Sequence, residues 1–227
     1  MTLPRNLPNL ITGSRLVLAV ALFVILGGID AALRHADVAD PLHRVVKGFG
    51  AHDRLLLNVC LAIFVTAAIS DILDGHIARR WGLQTDFGRI VDPFADKVIV
   101  CGAFVQLVPF REAQIASWMV VVILARELLV DGLRGFAESR GVAFPAMASG
   151  KLKMTLQSAC ISWILFALAN LSGEPWARWV TLTLVWSALA VTVFSGLQYV
   201  FHARRVLSSE ALATLTSPGD PSRPGAT

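Results

Sequence analysis

A polar segment from Asp71 to Asp96 carries four aspartates and lies between two apolar runs of membrane-spanning length. A carboxylate is costly inside a bilayer. An Asp at the centre of a spanning helix costs roughly 2.5–3.5 kcal/mol on insertion scales, so acids within such helices usually mark a functional site. The chain must therefore place these carboxylates where they are paired, bound to a cation or hydrated. A bundle of membrane helices with a polar site at one end meets that requirement.

The composition of the whole chain favours the same class of protein. Its 227 residues are 55% hydrophobic and only 16% charged, which is too apolar for an ordinary soluble domain. The net charge of +4 permits a nucleic-acid partner, but the sequence has no basic helix or aromatic-basic platform. We therefore predict no nucleic-acid binding and assign the basic residues to the membrane surface. Cys60, Cys101 and Cys160 lie far apart in apolar runs and are predicted to be packing residues.

The apolar runs predict an all-α integral membrane protein with six transmembrane helices, after a short interfacial segment at residues 2–14. The predicted spans are 15–33, 54–79, 88–108, 113–133, 151–171 and 176–201. Residues 1–206 are predicted to form a single membrane domain. Residues 207–227 are rich in Ser, Thr, Pro and Gly and are predicted to be a disordered tail.

Basic residues set the predicted orientation of these spans. Most of them fall on the side that holds both termini: Arg5, Arg15, Arg79, Arg80, Arg89, Arg134, Arg140, Lys151, Lys153, Arg204 and Arg205. The 34–53 connection on the other side has basic residues too, but acids within it balance them. Because cytoplasmic loops carry the excess of Lys and Arg, we predict that both termini are cytoplasmic in the cell (inner) membrane. The active site would then lie at the cytoplasmic ends of the second and third spans.

The spacing of the four acids indicates metal-assisted chemistry. Asp71 and Asp74 are three residues apart, and Asp92 and Asp96 are four apart, so each pair lies on one stripe of a helix. The two helices are antiparallel neighbours, and the pairs can converge. Four close carboxylates repel unless a cation neutralises them. Mg²⁺ is shared readily between carboxylates and substrate phosphates, and two metals about 3.5–4 Å apart recur in displacement at phosphorus.

Small residues between the acids favour a substrate slot. Gly75 inside a helix costs about 1 kcal/mol relative to Ala, which suggests a close approach at that point. Gly75, Ala78 and Gly88 would clear space beside the metals, and Arg79 is suited to phosphate oxygens. The alternative is a pair of hydrated helix ends whose acids pair with the arginines of the same segment.

The segment resembles the signature of the CDP-alcohol phosphatidyltransferases. It matches D-x2-D-G-x2-A-R-x8-G-x3-D-x3-D at every fixed position: Asp71, Asp74, Gly75, Ala78, Arg79, Gly88, Asp92 and Asp96. The resemblance implies a six-helix membrane enzyme, usually a homodimer, that moves a phosphatidyl group from CDP-diacylglycerol to an alcohol and releases CMP. It also implies two divalent cations, Mg²⁺ or Mn²⁺, bound by Asp71, Asp74, Asp92 and Asp96. By the same resemblance Asp96 is the base, and Asp71, Gly75, Ala78, Arg79 and Gly88 receive the CDP moiety.

Basic residues further along the chain bear on the acceptor alcohol. Arg126 and Arg134 are eight residues apart and lie within one broad helical stripe. Lys151 and Lys153 lie about 200° apart on a helix, so we expect only one, Lys151, to face the site. Such a cluster suits an acceptor with its own phosphate. The alternatives are positive-inside bias and a structural pair between Arg126 and Glu127.

Four further segments are similar to the phosphatidylglycerophosphate synthases within that family: residues 6–15, 87–97, 125–134 and 149–153. This similarity implies glycerol 3-phosphate as the acceptor, bound through Arg126, Arg134, Lys151 and Lys153. It also suggests Asn9, Thr12 and Arg15 as groups that close over the diphosphate.

Other interpretations of the function stay open. The same chemistry would also serve inositol phosphate, serine or phosphatidylglycerol as acceptor. A membrane prenyltransferase would be expected to have two separate acidic motifs. A non-enzymatic ion carrier or scaffold would be expected to have a charged path through its spans.

Overall fold

The fold is given by a computed structural model, which describes the backbone of residues 7–39, 49–81, 86–140 and 148–216. Side chains are described for residues 13–35, 49–70, 91, 93–140 and 149–205. Six α-helices lie within these ranges: α1 Leu7–Ala39, α2 Ala51–Trp81, α3 Asp86–Leu107, α4 Ser117–Ser139, α5 Ala148–Asn170 and α6 Pro175–Thr216. A short 3-10 helix, Arg111–Ala113, lies between α3 and α4. The described ranges contain no strand, so the all-α prediction is confirmed for them.

The helices pack in a ring. Helix α1 contacts α2 and α3, α2 contacts α5, α5 contacts α6, α6 contacts α4, and α4 returns to α3. Helix α5 also touches α3 across the ring. All six helices contribute buried apolar side chains to the bundle: Leu22, Phe64, Phe104, Met119, Leu165 and Leu189. Helices α1 and α3 approach closely, because a Cβ atom on Gly102 would lie 2.1 Å from the ring of Phe23.

Four of the helices contain segments that are long and apolar enough to cross a membrane: Gly13–His35, Ala51–Ser70, Ser149–Asn170 and Pro175–Arg205. They match four of the six predicted spans and support a multi-pass membrane protein. Helix α4 does not qualify among the described residues, because Arg126, Glu127 and Asp131 interrupt it. Large apolar side chains such as Val24 and Trp179 are exposed, as expected for a surface that faces lipid.

Several helix limits differ from the sequence-based ones. Helix α1 begins at Leu7, so residues 7–14 are helical and continuous with the first predicted span. Pro8 is compatible with this because the first turn of a helix has no partners for its N–H groups. Helix α2 ends at Trp81 and α3 begins at Asp86, so both helices extend beyond the predicted spans, which end at 79 and begin at 88.

Helix α4 starts later than predicted and ends later. The 3-10 helix and Gln114, which has a left-handed φ of 55°, interrupt the chain before Ser117. The residues after Leu133 contain no proline until after Ser139, and the helix continues to that residue.

Helix α6 likewise continues to Thr216, ten residues into the segment predicted as a tail. Glu, Ala and Leu are good helix formers and are frequent in that stretch. Residues 217–227 lie outside the described part of the chain. Cys60, Cys101 and Cys160 are buried free thiols, which confirms them as packing residues.

Candidate active site

A cavity of about 310 Å³ lies between α3, α4, α5 and α6. Its polar lining comes from all four helices: Asp96 and Lys97 from α3, Arg126, Glu127, Asp131 and Arg134 from α4, Lys151, Lys153 and Gln157 from α5, and Tyr199 from α6. The predicted base and all four predicted acceptor ligands therefore surround one space. These predicted residues are far apart in the sequence, and the most distant two, Asp96 and Lys153, are separated by 57 positions.

The cavity lies at the end of the bundle that holds the last turns of α2. Helix α5 begins at the cavity, and its far end is tied to the start of α2, where Asn170 Nδ2 donates to Asn58 Oδ1 at 3.0 Å. Helices α2 and α5 are therefore antiparallel. With a rise of about 1.5 Å per residue, the α2 turns that carry Asp71 and Asp74 lie about 20 Å from Asn58, towards the cavity end.

Most of the signature side chains lie outside the described part of the structure. This applies to Asp71, Asp74, Gly75, Ala78, Arg79, Gly88 and Asp92, whose backbone is helical, and to Asn9 and Thr12. Convergence of the four acids therefore stays a prediction. Among the side chains that are described, no group of three or more His, Cys, Asp or Glu is arranged to hold a metal, and only Asp96 of the predicted ligands belongs to that set.

Asp96 is paired with an arginine from α1. Arg15 Nη1 donates to Asp96 Oδ1 at 2.5 Å, and the two side chains are 3% and 22% exposed. A buried guanidinium needs a charged partner to offset the loss of water, and Asp96 supplies it. The structure thus brings Arg15, predicted to bind diphosphate, directly against the predicted base.

A buried ion cluster joins α4 to α5 beside the cavity. Glu127 accepts hydrogen bonds from Lys153 Nζ and, at 3.3 Å, from Arg126 Nη1. All three residues are less than 9% exposed. Both Lys153 and Lys151 line the cavity, so the expectation that only one would face it is wrong. Lys153 is the buried one, because Glu127 draws it inward, while Lys151 is exposed.

Helix α6 holds the two arginines of α4. Arg126 Nη2 donates to Ser195 Oγ at 2.9 Å, and Arg134 Nη2 donates to the Tyr199 hydroxyl at 2.6 Å. The Tyr199 ring also faces both guanidinium groups, whose central carbons lie 5.5 Å and 5.1 Å from its centroid. Sequence reasoning missed Ser195 and Tyr199. Two signals were available in the sequence. The two residues are four positions apart within an apolar span, and Tyr199 is the single tyrosine of the chain.

The cavity has more positive charge than its own acids balance. Lys97 pairs with Asp131, and Lys153 pairs with Glu127. Within the described part of the chain, Arg134 and Lys151 have no carboxylate partner, and the Nε atoms of Arg126 and Arg134 are buried without a hydrogen-bond partner. An unsatisfied buried donor costs about 1–3 kcal/mol. The arrangement is therefore suited to bind an anion, and a phosphate in particular.

The chain belongs to the CDP-alcohol phosphatidyltransferase family, whose sequence model matches residues 5–194. It is accordingly a transferase, and the match covers the α2–α3 signature and the cavity residues of α4 and α5.

Named relatives agree with this membership. The chain is 34% identical to a CDP-diacylglycerol–glycerol-3-phosphate 3-phosphatidyltransferase of Bacillus subtilis, over 86% of this chain and 93% of the relative. It is 31% identical to a protein of the same name from Rickettsia prowazekii, over 88% and 96% of the two chains. It is also 39% identical to a probable phosphatidylglycerophosphate synthase of Mycobacterium tuberculosis, over 69% and 71%.

Proposed function

We propose that the protein transfers the phosphatidyl group of CDP-diacylglycerol to glycerol 3-phosphate, which gives phosphatidylglycerophosphate and CMP. The observation that carries this proposal is the cavity in which Asp96 lies beside a group of cations that lack enough acids of their own. The names of the relatives point to the same two substrates. A neutral acceptor such as inositol would leave the buried guanidinium donors without an anionic partner.

The phosphate of the acceptor binds to Arg126, Arg134 and Lys151 in this proposal. Guanidinium groups suit phosphate because they donate parallel N–H bonds to two oxygens, and the unpartnered Nε atoms of Arg126 and Arg134 are available for them. Lys153 contributes its charge from a fixed position, since Glu127 holds its ammonium group.

Asp96 takes the proton of the acceptor hydroxyl in the reaction. The acceptor oxygen then forms a bond to the phosphorus that carries the diacylglycerol, and the bond from that phosphorus to the bridging oxygen breaks. The electron pair leaves with CMP. Arg15 holds the Asp96 carboxylate in place through its 2.5 Å hydrogen bond. A positioned base of this kind contributes typically about 10²–10⁴-fold to the rate.

We propose that the signature residues form the nucleotide-binding half of the site. Asp71, Asp74, Asp92 and Asp96 form an all-carboxylate donor set that fits hard divalent cations such as Mg²⁺ or Mn²⁺. When bound, the cations supply charge neutralisation for the diphosphate. Gly75, Ala78, Arg79 and Gly88 would receive the CDP moiety, with Asn9 and Thr12 near the diphosphate.

The membrane arrangement follows from the same proposal. In this proposal all six helices cross the inner membrane, and the protein is a homodimer. The start of α1 and the end of α6 lie at the cavity end of the bundle, as Arg15 and Tyr199 show by their contacts with cavity residues. We propose that this end is cytoplasmic, where the water-soluble acceptor is available.

An acceptor panel tests the function directly. Purified protein with Mg²⁺ or Mn²⁺ and CDP-diacylglycerol is offered glycerol 3-phosphate, inositol phosphate, serine or phosphatidylglycerol, and CMP release is measured. We expect release with glycerol 3-phosphate and its loss on chelation of the metal. CMP release with only one of the other acceptors would support phosphatidyl transfer and reject glycerol 3-phosphate as the acceptor. No release with any acceptor would contradict the activity.

A further inference from the structure

We propose that Tyr199 is a positioning residue that fixes the guanidinium groups of Arg126 and Arg134 for binding of the acceptor's phosphate. This inference rests on the proposed function and deepens it, because it assigns acceptor affinity to a residue of α6 that lies outside the signature. Tyr199 would act through the two arginines.

The geometry makes Tyr199 a shared support for both cations. The residue is 1% exposed, and the guanidinium carbons of Arg126 and Arg134 lie over its ring at 5.5 Å and 5.1 Å from the centroid. An aromatic face attracts a cation within about 6 Å, so one ring stabilises two groups that would otherwise repel each other. The hydroxyl adds a directional contact, since it accepts from Arg134 Nη2 at 2.6 Å.

Neighbouring residues of α6 complete this support. Ser195 lies one turn before Tyr199 and accepts from Arg126 Nη2 at 2.9 Å. Gly196 leaves room for the stem of Arg126, because a Cβ atom there would lie 2.9 Å from Arg126 Cγ. The contacts occupy one nitrogen of each guanidinium group, while the buried Nε atoms of both arginines keep no partner within the described structure.

Positioning of this kind affects affinity more than the chemical step. A long arginine side chain has many rotamers, and ordering it on binding opposes association. If Tyr199 orders both arginines before the acceptor arrives, that opposition is reduced. Loss of Tyr199 contacts should therefore raise KM for the phosphorylated acceptor and leave KM for CDP-diacylglycerol unchanged.

Two substitutions separate the hydroxyl from the ring. Tyr199→Phe removes the hydrogen bond to Arg134 and keeps the shape and the aromatic face. We expect it to raise KM for glycerol 3-phosphate about 3- to 10-fold, as for loss of one hydrogen bond. Tyr199→Leu removes the ring as well, and we expect a larger rise, about 30-fold or more. In both variants kcat should stay close to that of the wild type.

Thr181→Val is the matched control. Thr181 is also buried on α6, and its hydroxyl accepts from Trp163 Nε1 at 3.0 Å, but it does not line the cavity. We expect KM for both substrates to be unchanged in this variant. Thermal unfolding without substrates measures the structural effect of each substitution, and Tyr199→Phe should unfold at nearly the wild-type temperature.

A rise in both Michaelis constants by the same factor, or no rise for glycerol 3-phosphate in Tyr199→Phe, would overturn the assignment. Tyr199→Phe keeps the test decisive if the leucine variant does not fold. Inorganic phosphate gives a readout that does not depend on the reaction. It should raise the unfolding temperature of the wild type more than that of Tyr199→Phe, and equal shifts would count against Tyr199. A wild-type protein inactive with glycerol 3-phosphate would instead reject the proposed acceptor.

Discussion

The two ends of α5 lie in polar surroundings of opposite character. At its C-terminal end, Asn170 and Asn58 exchange amide hydrogen bonds at 3.0 Å and 3.5 Å, and Arg54 Nη2 donates to Ser172 Oγ at 3.3 Å. These groups come from α2, α5 and the turn after it, and they satisfy one another.

Its N-terminal end lies about 33 Å away by helical rise and enters the cavity. This cavity has a surplus of cations and holds buried guanidinium nitrogens that have no partner in the described structure. Polar groups that satisfy each other stabilise the bundle without any further component. Polar groups that stay unsatisfied lower stability and indicate that a ligand completes them. The comparison therefore separates a structural end from a functional end of the same bundle.

The strongest test removes the proposed base. Asp96→Asn should lower kcat by about 10²–10⁴-fold, since an amide does not accept the hydroxyl proton, while binding of CDP is largely retained. Asp30→Asn is the control, because Asp30 also accepts from an arginine, Arg34 Nε at 2.8 Å, and is similarly exposed at 18% against 22% for Asp96. A near-normal rate for Asp96→Asn would exclude Asp96 as the base.

The second-largest effect is expected on stability, when a residue of the buried ion cluster is replaced. Lys153→Ala leaves Glu127 buried with only the longer contact to Arg126, and we expect a loss of about 3–5 kcal/mol in unfolding free energy. Lys153→Met removes the same charge but keeps an apolar side chain of similar length, so it should be nearly as unstable as Lys153→Ala if the buried charge of Glu127 is the cause. A Lys153→Met variant as stable as the wild type would show that packing, not charge, is responsible for the loss in Lys153→Ala.

Removal of an acceptor ligand comes third. Arg126→Ala should raise KM for glycerol 3-phosphate about 10- to 100-fold, as for loss of a charge-assisted contact, with KM for CDP-diacylglycerol unchanged. Arg54→Ala is the counterpart at the structural end, where the arginine also donates to a serine hydroxyl. Equal effects on both Michaelis constants in Arg126→Ala would favour a structural role for the pair with Glu127.

The sequence was informative where function depends on spacing along one helix. The interval between Arg126 and Arg134 predicts a common stripe on α4, and both residues line the cavity, whereas the convergence of the acids of α2 and α3 stays a prediction. Helix limits were less accurate where charge or a 3-10 turn decides them, as at Ser117. The contacts between helices were not predicted.

Those contacts join residues that are distant in the chain. Lys153 lies 26 positions from Glu127, and Tyr199 lies 65 from Arg134. Periodicity shows which face of its own helix a residue occupies, but it does not show which helix covers that face. The burial of Lys153, and its place beside Lys151 in the cavity lining, were missed for this reason, since the partner on α4 decides which lysine is buried.

The smallest expected effect tests the structural end by itself. Asn58→Ala removes the amide that Asn170 binds, and we expect a loss of about 1 kcal/mol in unfolding free energy, as for one hydrogen bond between partly exposed groups. Both Michaelis constants should stay within about twofold of the wild type. Asn58 lies far from the cavity, and distant sites usually act independently. Unfolding in detergent and steady-state kinetics on the same preparation measure the two quantities. A selective rise in KM for glycerol 3-phosphate would show that the ends are coupled through α5, and the division into a structural and a functional end would then fail.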